Sequence, residues 1–160
     1  MKKTFQLILS ILVCQLAGII GSVFTANSVT TWYTTLNKPF FNPPGWVFGP
    51  VWITLYTLMG ITLFLIWQKY QSSRKKKKQI KKALVLFLVH LVFNALWSVI
   101  FFGLQQIWLA YICILILWLM IVLSMFWFYR INKYAMHLLI PYLVWVSFAT
   151  VLNFTLGVLN

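Results

Sequence analysis

The sequence of 160 residues contains no aspartate and no glutamate, although it carries 13 lysines and arginines. Within this chain, the missing carboxylates exclude paired-acid glycoside hydrolysis, a Ser-His-Asp triad, a carboxylate metal cluster and a proton relay through acidic side chains. Charged residues make up 8% of the chain, whereas a soluble domain carries about 25%. The length allows one domain, and the composition argues against a soluble one.

Cysteine and histidine are also scarce. Cys14 and Cys113 lie in separate apolar runs outside any CxxC or CxxCH motif, so we expect them to behave as small buried hydrophobic residues. His90 lies one helical turn before Asn94, and His137 lies near a membrane surface. We interpret both histidines as structural residues, and the sequence predicts neither a metal site nor a required cofactor.

Apolar side chains make up 62% of the sequence and form five long runs. A transmembrane helix needs about 20 apolar residues, because about 30 Å of hydrocarbon is crossed at about 1.5 Å per residue. The first run is longer than the core of a signal peptide and lacks an A-x-A-like cleavage site, so we expect a retained helix. The sequence predicts an all-α membrane protein, a single five-helix transmembrane domain over residues 1–160, with helices at about 5–25, 46–67, 83–102, 107–128 and 136–159.

The positive charges indicate which side of the membrane each end occupies. Twelve of the 13 cations fall in the N-terminus, in the 69–82 loop and in the fourth-to-fifth connection, and only Lys38 falls on the opposite side. Cytoplasmic segments carry the excess of Lys and Arg, so the N-terminus is predicted to be cytoplasmic and the C-terminus outside. The cations do not spread along a soluble face, as binding of nucleic acid would require.

The extracytoplasmic segment 26–45 is unusually long. Segments of this length are usually functional or disordered. This one carries three prolines together with the aromatic residues Trp32, Tyr33, Phe40 and Phe41. We therefore predict an ordered cap that lies on the helix bundle.

The nine tryptophans fall into two groups. Five lie near predicted helix ends, where interfacial anchoring accounts for them: Trp32, Trp46, Trp67, Trp108 and Trp127. Four lie inside the spans and need another explanation: Trp52, Trp97, Trp118 and Trp145.

Helical spacing places several of the inner tryptophans beside polar or small residues. Residues three, four or seven apart share a helix face, which groups Trp52, Tyr56 and Met59 on the second span, Asn94, Trp97 and Ser98 on the third, and Tyr142, Trp145, Ala149 and Asn153 on the fifth. Converging faces of this kind would form an aromatic pocket for a flat, mostly apolar ligand. Ordinary helix packing through small and polar residues is the alternative interpretation. The small residues Ala17 and Gly21 likewise suggest a helix contact or a dimer face.

Three segments together resemble a known family. WYTTLNKPFFNPPGWVFGPVWITLYTLMG (32–60), NALWSVIFFG (94–103) and PYLVWVSFATVLN (141–153) are similar, in content and in order, to segments of the TspO/MBR family of tryptophan-rich sensory proteins and translocator proteins, also called peripheral benzodiazepine receptors. The Lys-rich N-terminus and loop suggest a bacterial member in the cell membrane.

The resemblance implies a five-helix receptor or sensor, often a homodimer, that binds porphyrins, haem-like tetrapyrroles and isoquinoline or benzodiazepine drugs beneath the first loop. The ligand-contact positions of the family fall on Tyr33, Pro44, Phe48, Trp52, Tyr56, Asn94, Trp97, Ser98, Trp108, Trp145, Phe148 and Ala149. Cholesterol binding is not expected, because the end of the fifth span has Phe154 and no following cation where the family's sterol pattern needs Tyr and then Lys or Arg.

Two other functions remain open alongside the receptor. Light-dependent degradation of protoporphyrin would use Trp52 and Trp145, with the excited porphyrin and oxygen supplying the chemistry. Transport of the tetrapyrrole across the membrane is the other alternative. The residues offer no acid, metal site or nucleophile for catalysis, and the protein is more simply a receptor than an enzyme.

Overall fold

The computed structural model describes residues 2–160, which fold into helices with no β-strand among them. The helices are α1 (Lys2–Thr30), α2 (Trp32–Thr35), α3 (Gly45–Ser72), α4 (Lys77–Ser98), which continues into a π-helical turn (Val99–Gly103), α5 (Ile107–Ile131), α6 (Lys133–His137) and α7 (Ile140–Leu159). Five segments are long and apolar enough to cross a bilayer, which confirms the predicted all-α fold with five transmembrane helices.

The five spanning segments form a closed ring. Helix α1 contacts both α3 and α4, α4 contacts α5, and α5 contacts α7. Aromatic side chains of α3 and α7 complete the ring, because Phe48 contacts Trp145 and Trp52 contacts Tyr142, with ring centroids 6.0 and 6.4 Å apart. Large apolar side chains are exposed along the outer faces of the spanning helices, as a lipid environment requires, and the chain is an integral membrane protein.

The helices extend beyond the apolar runs that predicted them. Helix α1 continues to Thr30, where Thr30 and Thr31 each donate a side-chain hydrogen bond to the Asn27 carbonyl. Helix α3 continues to Ser72 and α4 begins at Lys77, so the predicted 69–82 loop is reduced to residues 73–76. Lysine and glutamine are good helix formers, and hydropathy marks the end of the apolar band rather than the end of the helix.

Two of the predicted spans are irregular. The fifth is interrupted by a turn at Leu138 and Leu139, between α6 and α7. Pro141 accounts for the break, because a proline lacks the amide hydrogen and clashes with the carbonyl four residues earlier. The third ends in the π-helical turn, where the Leu104 amide donates to the Val99 carbonyl at 2.9 Å.

Small residues allow α1 to approach its two neighbours. A methyl group added at Gly60 of α3 would lie 2.5 Å from the Ile11 Cα, so the two backbones touch there. On the other side, a methyl group at Gly21 would lie 2.9 Å from the Ser98 hydroxyl of α4. Ala17 is also buried. Of the two interpretations of Ala17 and Gly21, a helix contact or a dimer face, the structure shows a helix contact within the chain.

Charge divides the bundle into two ends. The start of α1, the end of α3, the start of α4 and the α5–α6 junction lie at one end and carry twelve exposed cations. Lys38 lies at the opposite end, in the connection between α2 and α3. The two ends are called here the basic end and the loop end, and the side of the membrane that each one faces stays a prediction.

Candidate functional site

A cavity of about 780 Å³ lies at the loop end of the bundle, between α1, α3, α4 and α7 and beneath the 31–44 segment. This volume is within the range of small-molecule sites, which measure about 300–1,000 Å³. Nine of the twelve positions predicted from the family resemblance line it: Tyr33, Pro44, Phe48, Trp52, Tyr56, Trp97, Ser98, Trp145 and Ala149. Residues from distant parts of the sequence therefore converge on one site.

Helix α3 supplies the first aromatic wall. Phe48, Trp52 and Tyr56 are spaced four residues apart and therefore share one face. The rings of Trp52 and Tyr56 are stacked, with centroids 5.3 Å apart and an interplanar angle of 26°. Phe48 and Trp145 make a T-shaped contact across the gap to α7, with an interplanar angle of 74°. The wall is flat and largely apolar, as a planar aromatic ligand would need.

The opposite wall is formed by α4 and α7, and hydrogen bonds fix its central ring. Trp97 stacks on Phe101 with centroids 5.2 Å apart, and its indole N–H donates to Asn153 Oδ1 at 3.0 Å. Asn153 is itself held, because its amide donates to the Ile107 carbonyl at 3.0 Å. The indole plane of Trp97 is thus set before any ligand binds.

The floor of the cavity is a buried polar network. Tyr56 donates to Asn94 Oδ1, and Asn94 Nδ2 donates to the Tyr142 hydroxyl at 2.9 Å. Asn94 and Tyr142 are almost fully buried, and a buried polar group is costly unless it is hydrogen-bonded. The network thus fixes the Tyr56 ring beneath the ligand space.

The roof is ordered, as the prolines and aromatics of segment 26–45 predict. Tyr33 packs against Phe101 and Phe102 and donates to Asn42 Oδ1 at 2.6 Å. Burial raises the pKa of Tyr33 to about 12, outweighing the opposite effect of the hydrogen bond to Asn42. The hydroxyl therefore stays protonated and able to donate throughout the neutral pH range.

The roof is also joined to the end of α7. The Asn37 backbone amide donates to Asn160 Oδ1 at 2.8 Å, and Asn160 Nδ2 returns a bond to the Asn37 carbonyl at 3.1 Å. Phe41 rests against Phe148 of α7, with centroids 6.3 Å apart. The cap is thus held in place by contacts with α7, which lies more than 100 residues later in the sequence.

The α1 wall was not predicted from the sequence. It is built from small and polar side chains on one face of that helix: Gln15, Gly18, Ser22, Thr25, Ala26 and Val29. Their spacing of three or four residues was the available signal, because small residues allow a ligand or another helix to approach closely. Ile19 and Ile53 also line the cavity and are 57% and 62% exposed, so this side reaches the lipid-facing surface between α1 and α3.

Three predicted positions lie outside the lining. Asn94 supports the floor from behind Tyr56, and Phe148 stands behind Trp145 with centroids 5.6 Å apart. Trp108 lies on the outer surface, 52% exposed, against Gly157 and Phe154.

Three other residues noted in the sequence also lie away from the cavity. Met59 is completely buried in the core, and Trp118 donates to the Ser147 hydroxyl at 2.8 Å on the α5 side of α7. His90 is buried beside Tyr142, one turn nearer the basic end than Asn94.

The electrostatics of the site are simple. Lys38 is the single charged residue among those lining the cavity, and its ammonium group lies 4.8 Å from the centre of the Tyr33 ring. The other polar lining groups are neutral amides and hydroxyls. The site can hold a flat apolar body in the bundle and accommodate a negative group at the roof.

Comparison with known proteins agrees with this architecture. Residues 10–159 match the sequence model of the TspO/MBR family. The chain belongs to this family. It is 43% identical over 159 residues to the tryptophan-rich protein TspO of Chlorobaculum tepidum, covering 99% of this chain and 98% of that protein.

Other members of the TspO/MBR family are similar over most of their length. The tryptophan-rich protein TspO of Archaeoglobus fulgidus is 41% identical over 157 residues, covering 97% of each chain. The human translocator protein is 35% identical over 140 residues, covering 88% of this chain and 81% of the human one. The resemblance that the three sequence segments indicate is thereby confirmed.

Proposed function

We propose that this protein is a membrane receptor that binds a porphyrin or related tetrapyrrole in the cavity at the loop end. The observation that carries the proposal is the meeting of fixed aromatic rings from three helices around one space of about 780 Å³. Trp52 and Trp145 face this space from α3 and α7, and Trp97 faces it from α4. A tetrapyrrole offers the flat π-surface that such rings contact by stacking.

Polar groups around the cavity complement the edge of such a ligand. The Ser98 hydroxyl and the Asn42 amide line the site and can hydrogen-bond a pyrrole nitrogen or a carboxylate. Lys38 provides one cation at the roof, whereas the other twelve lie at the opposite end. Binding in the cavity should therefore weaken only slightly as the salt concentration rises.

The test is a tryptophan-fluorescence titration of the detergent-solubilised protein with protoporphyrin IX, in darkness and under illumination. We expect saturable, reversible quenching that weakens in W52A and in W145A. W118F is the matched control, because Trp118 lies outside the cavity. Equal affinity in all four proteins, or no saturation, would contradict a tetrapyrrole site in this cavity.

The same titration separates the receptor from a photochemical role. Trp52 and Trp145 both line the cavity, which is the observation that favours light-dependent degradation as the second candidate. In that case the Soret band would bleach only under illumination, and W145F would slow the bleaching. A receptor leaves the porphyrin spectrum intact in both conditions.

A further inference from the structure

The basic end of the bundle carries a second feature, which the cavity does not use. The end of α3, the short linker 73–76 and the start of α4 form a helical hairpin with eight cations between Lys69 and Lys82. All eight are exposed. Because all but the linker residues are helical, most of these cations project from a regular scaffold rather than from a flexible loop.

In the first turns of α4, charged and apolar side chains lie on opposite faces of the helix. Successive residues are rotated by about 100° around a helix, so four lysines, Lys77, Lys78, Lys81 and Lys82, share one broad side. Ile80 and Ala83 point the other way and are 1% exposed, packed into the bundle. The lysine face of α4 therefore points away from the core of the bundle, and its four lysines are exposed.

Aromatic residues place these cations at the level of the lipid headgroups. The Lys77 ammonium lies 5.1 Å from the centre of the Tyr70 ring, and the Lys133 ammonium 5.4 Å from that of Tyr129. Tyrosine and tryptophan concentrate where the hydrocarbon meets the headgroups. Tyr129 and Tyr134 are exposed at this level, at 50% and 79%, so the cations lie just beyond the apolar band.

No side chain of the protein can neutralise this charge, because the sequence has no aspartate or glutamate. The cations also surround the bundle, since Lys2, Lys3, Arg130 and Lys133 stand at the same end as the hairpin. Cationic groups clustered next to a transmembrane helix attract anionic lipid headgroups. Because the cations are distributed around the bundle at the edge of the apolar band, the lipids that surround the protein can contact all of them. A single strand of nucleic acid fits this distribution less well.

We propose that the basic end is a binding surface for the phosphate headgroups of anionic lipids, centred on the lysine face of α4. The headgroup phosphates supply the negative charge that the chain lacks, and they relieve the repulsion among the eight cations of the hairpin. Anionic lipid should therefore bind preferentially and stabilise the folded protein.

The experiment uses the full-length protein in nanodiscs of phosphatidylcholine, with or without one third phosphatidylglycerol. Native mass spectrometry counts the lipids that stay bound, and tryptophan fluorescence gives the unfolding temperature. We expect phosphatidylglycerol to be retained over phosphatidylcholine by roughly fivefold or more, and to raise the unfolding temperature. Raising the salt from about 0.05 M to about 0.5 M should remove most of both effects, because it shortens the screening length.

Variants locate the surface. The quadruple variant K77Q/K78Q/K81Q/K82Q should lose most of the preference, and K77R/K78R/K81R/K82R should keep it, since only the charge is needed. K38Q, at the loop end, is the control and should keep the lipid preference of the wild type. The unfolding temperature of each variant in pure phosphatidylcholine shows whether it is folded.

Three results would overturn the proposal. One is equal retention of the two lipids by the wild type. Another is an unchanged preference in the folded quadruple glutamine variant. The third is displacement of phosphatidylglycerol, at constant ionic strength, by inorganic phosphate or by a single-stranded oligonucleotide, which would assign the surface to a soluble anion or to nucleic acid. Porphyrin quenching is measured separately and should not change in the two quadruple variants, whose lysines lie outside the cavity, so the two proposals can fail independently.

Discussion

At the scale of single residues, the charge at the cavity depends on one side chain. Lys38 is the one cation at the cavity. It is exposed, and exposed ion pairs contribute only ~1 kcal/mol or less. Its contribution to ligand binding should therefore be measurable but small.

The first prediction concerns Lys38. We expect K38Q to weaken binding of protoporphyrin IX by about two- to fivefold, because one exposed ion pair to a propionate is lost. Binding of the dimethyl ester should not change, since the ester has no carboxylate. Parallel fluorescence titrations check this, with K133Q as the control at the basic end. An equal loss for acid and ester would show that Lys38 acts by shaping the roof instead.

Gly60 has the sharpest steric requirement. Its hydrogen faces the Ile11 backbone, and overpacking a close contact costs about 1–3 kcal/mol. We expect G60A to lower the unfolding temperature in detergent clearly, because α1 must move away from α3. G49A is the matched control, since nothing lies within 4 Å of a methyl group there. Equal unfolding temperatures for G60A and the wild type would contradict this tight contact.

At the scale of elements, the cap over the cavity depends on ties to distant helices. The Ser28 hydroxyl at the end of α1 donates to the Phe102 carbonyl at 2.5 Å in the π-helical turn. Trp32 of α2 packs edge-on against Phe101, with centroids 5.5 Å apart. Asn37 and Asn160 tie the following segment to α7. The cap is thus an ordered element that must loosen if a ligand leaves through the roof.

Loss of the tie to α7 should alter ligand kinetics. N160A removes two hydrogen bonds to Asn37, each contributing ~1 kcal/mol or less at an exposed site. We expect protoporphyrin to dissociate about three- to tenfold faster, with a smaller change in the association rate. Stopped-flow fluorescence measures both rates, and N132A at the basic end is the control. An unchanged dissociation rate would indicate exit by another path, such as the lipid-facing side between α1 and α3.

At the scale of the whole molecule, consecutive spans cross the membrane in opposite directions. Five spans therefore place twelve cations at one end of the bundle and one at the other. The positive-inside rule then predicts a cytoplasmic basic end and an external cavity roof. In this orientation, the ligand would reach the cavity at the loop end from outside or through the lipid. The basic end would contact anionic lipids of the inner leaflet.

This orientation can be measured with a membrane-impermeant maleimide on intact cells. We expect L36C, in the cap, to be labelled and S73C, in the hairpin linker, to react only after permeabilisation. The wild type serves as background, because Cys14 and Cys113 are buried. Labelling of S73C but not of L36C in intact cells would invert the orientation.

The sequence by itself determined the features that depend on local properties. The length of each apolar run gave the five spans, the positions of the lysines separated the two ends, and the 3.6-residue period placed Trp52 and Tyr56 on one face. Helical spacing marked six of the nine predicted residues that line the cavity, and the family resemblance added Tyr33, Pro44 and Phe48. None of these features requires knowledge of how one helix is rotated against another.

Only the tertiary structure decided which helices meet and which way each one faces. It brought α1 to the cavity as a fourth wall, placed Asn94 behind Tyr56, and turned Trp108 outward against Gly157. It also showed that five of the eight hairpin cations project from helices. The physical reason is that an apolar helix in lipid is hydrophobic on every side, so its own pattern cannot indicate its inner face, and the close contacts at small residues such as Gly60 and Gly21 set the rotation instead.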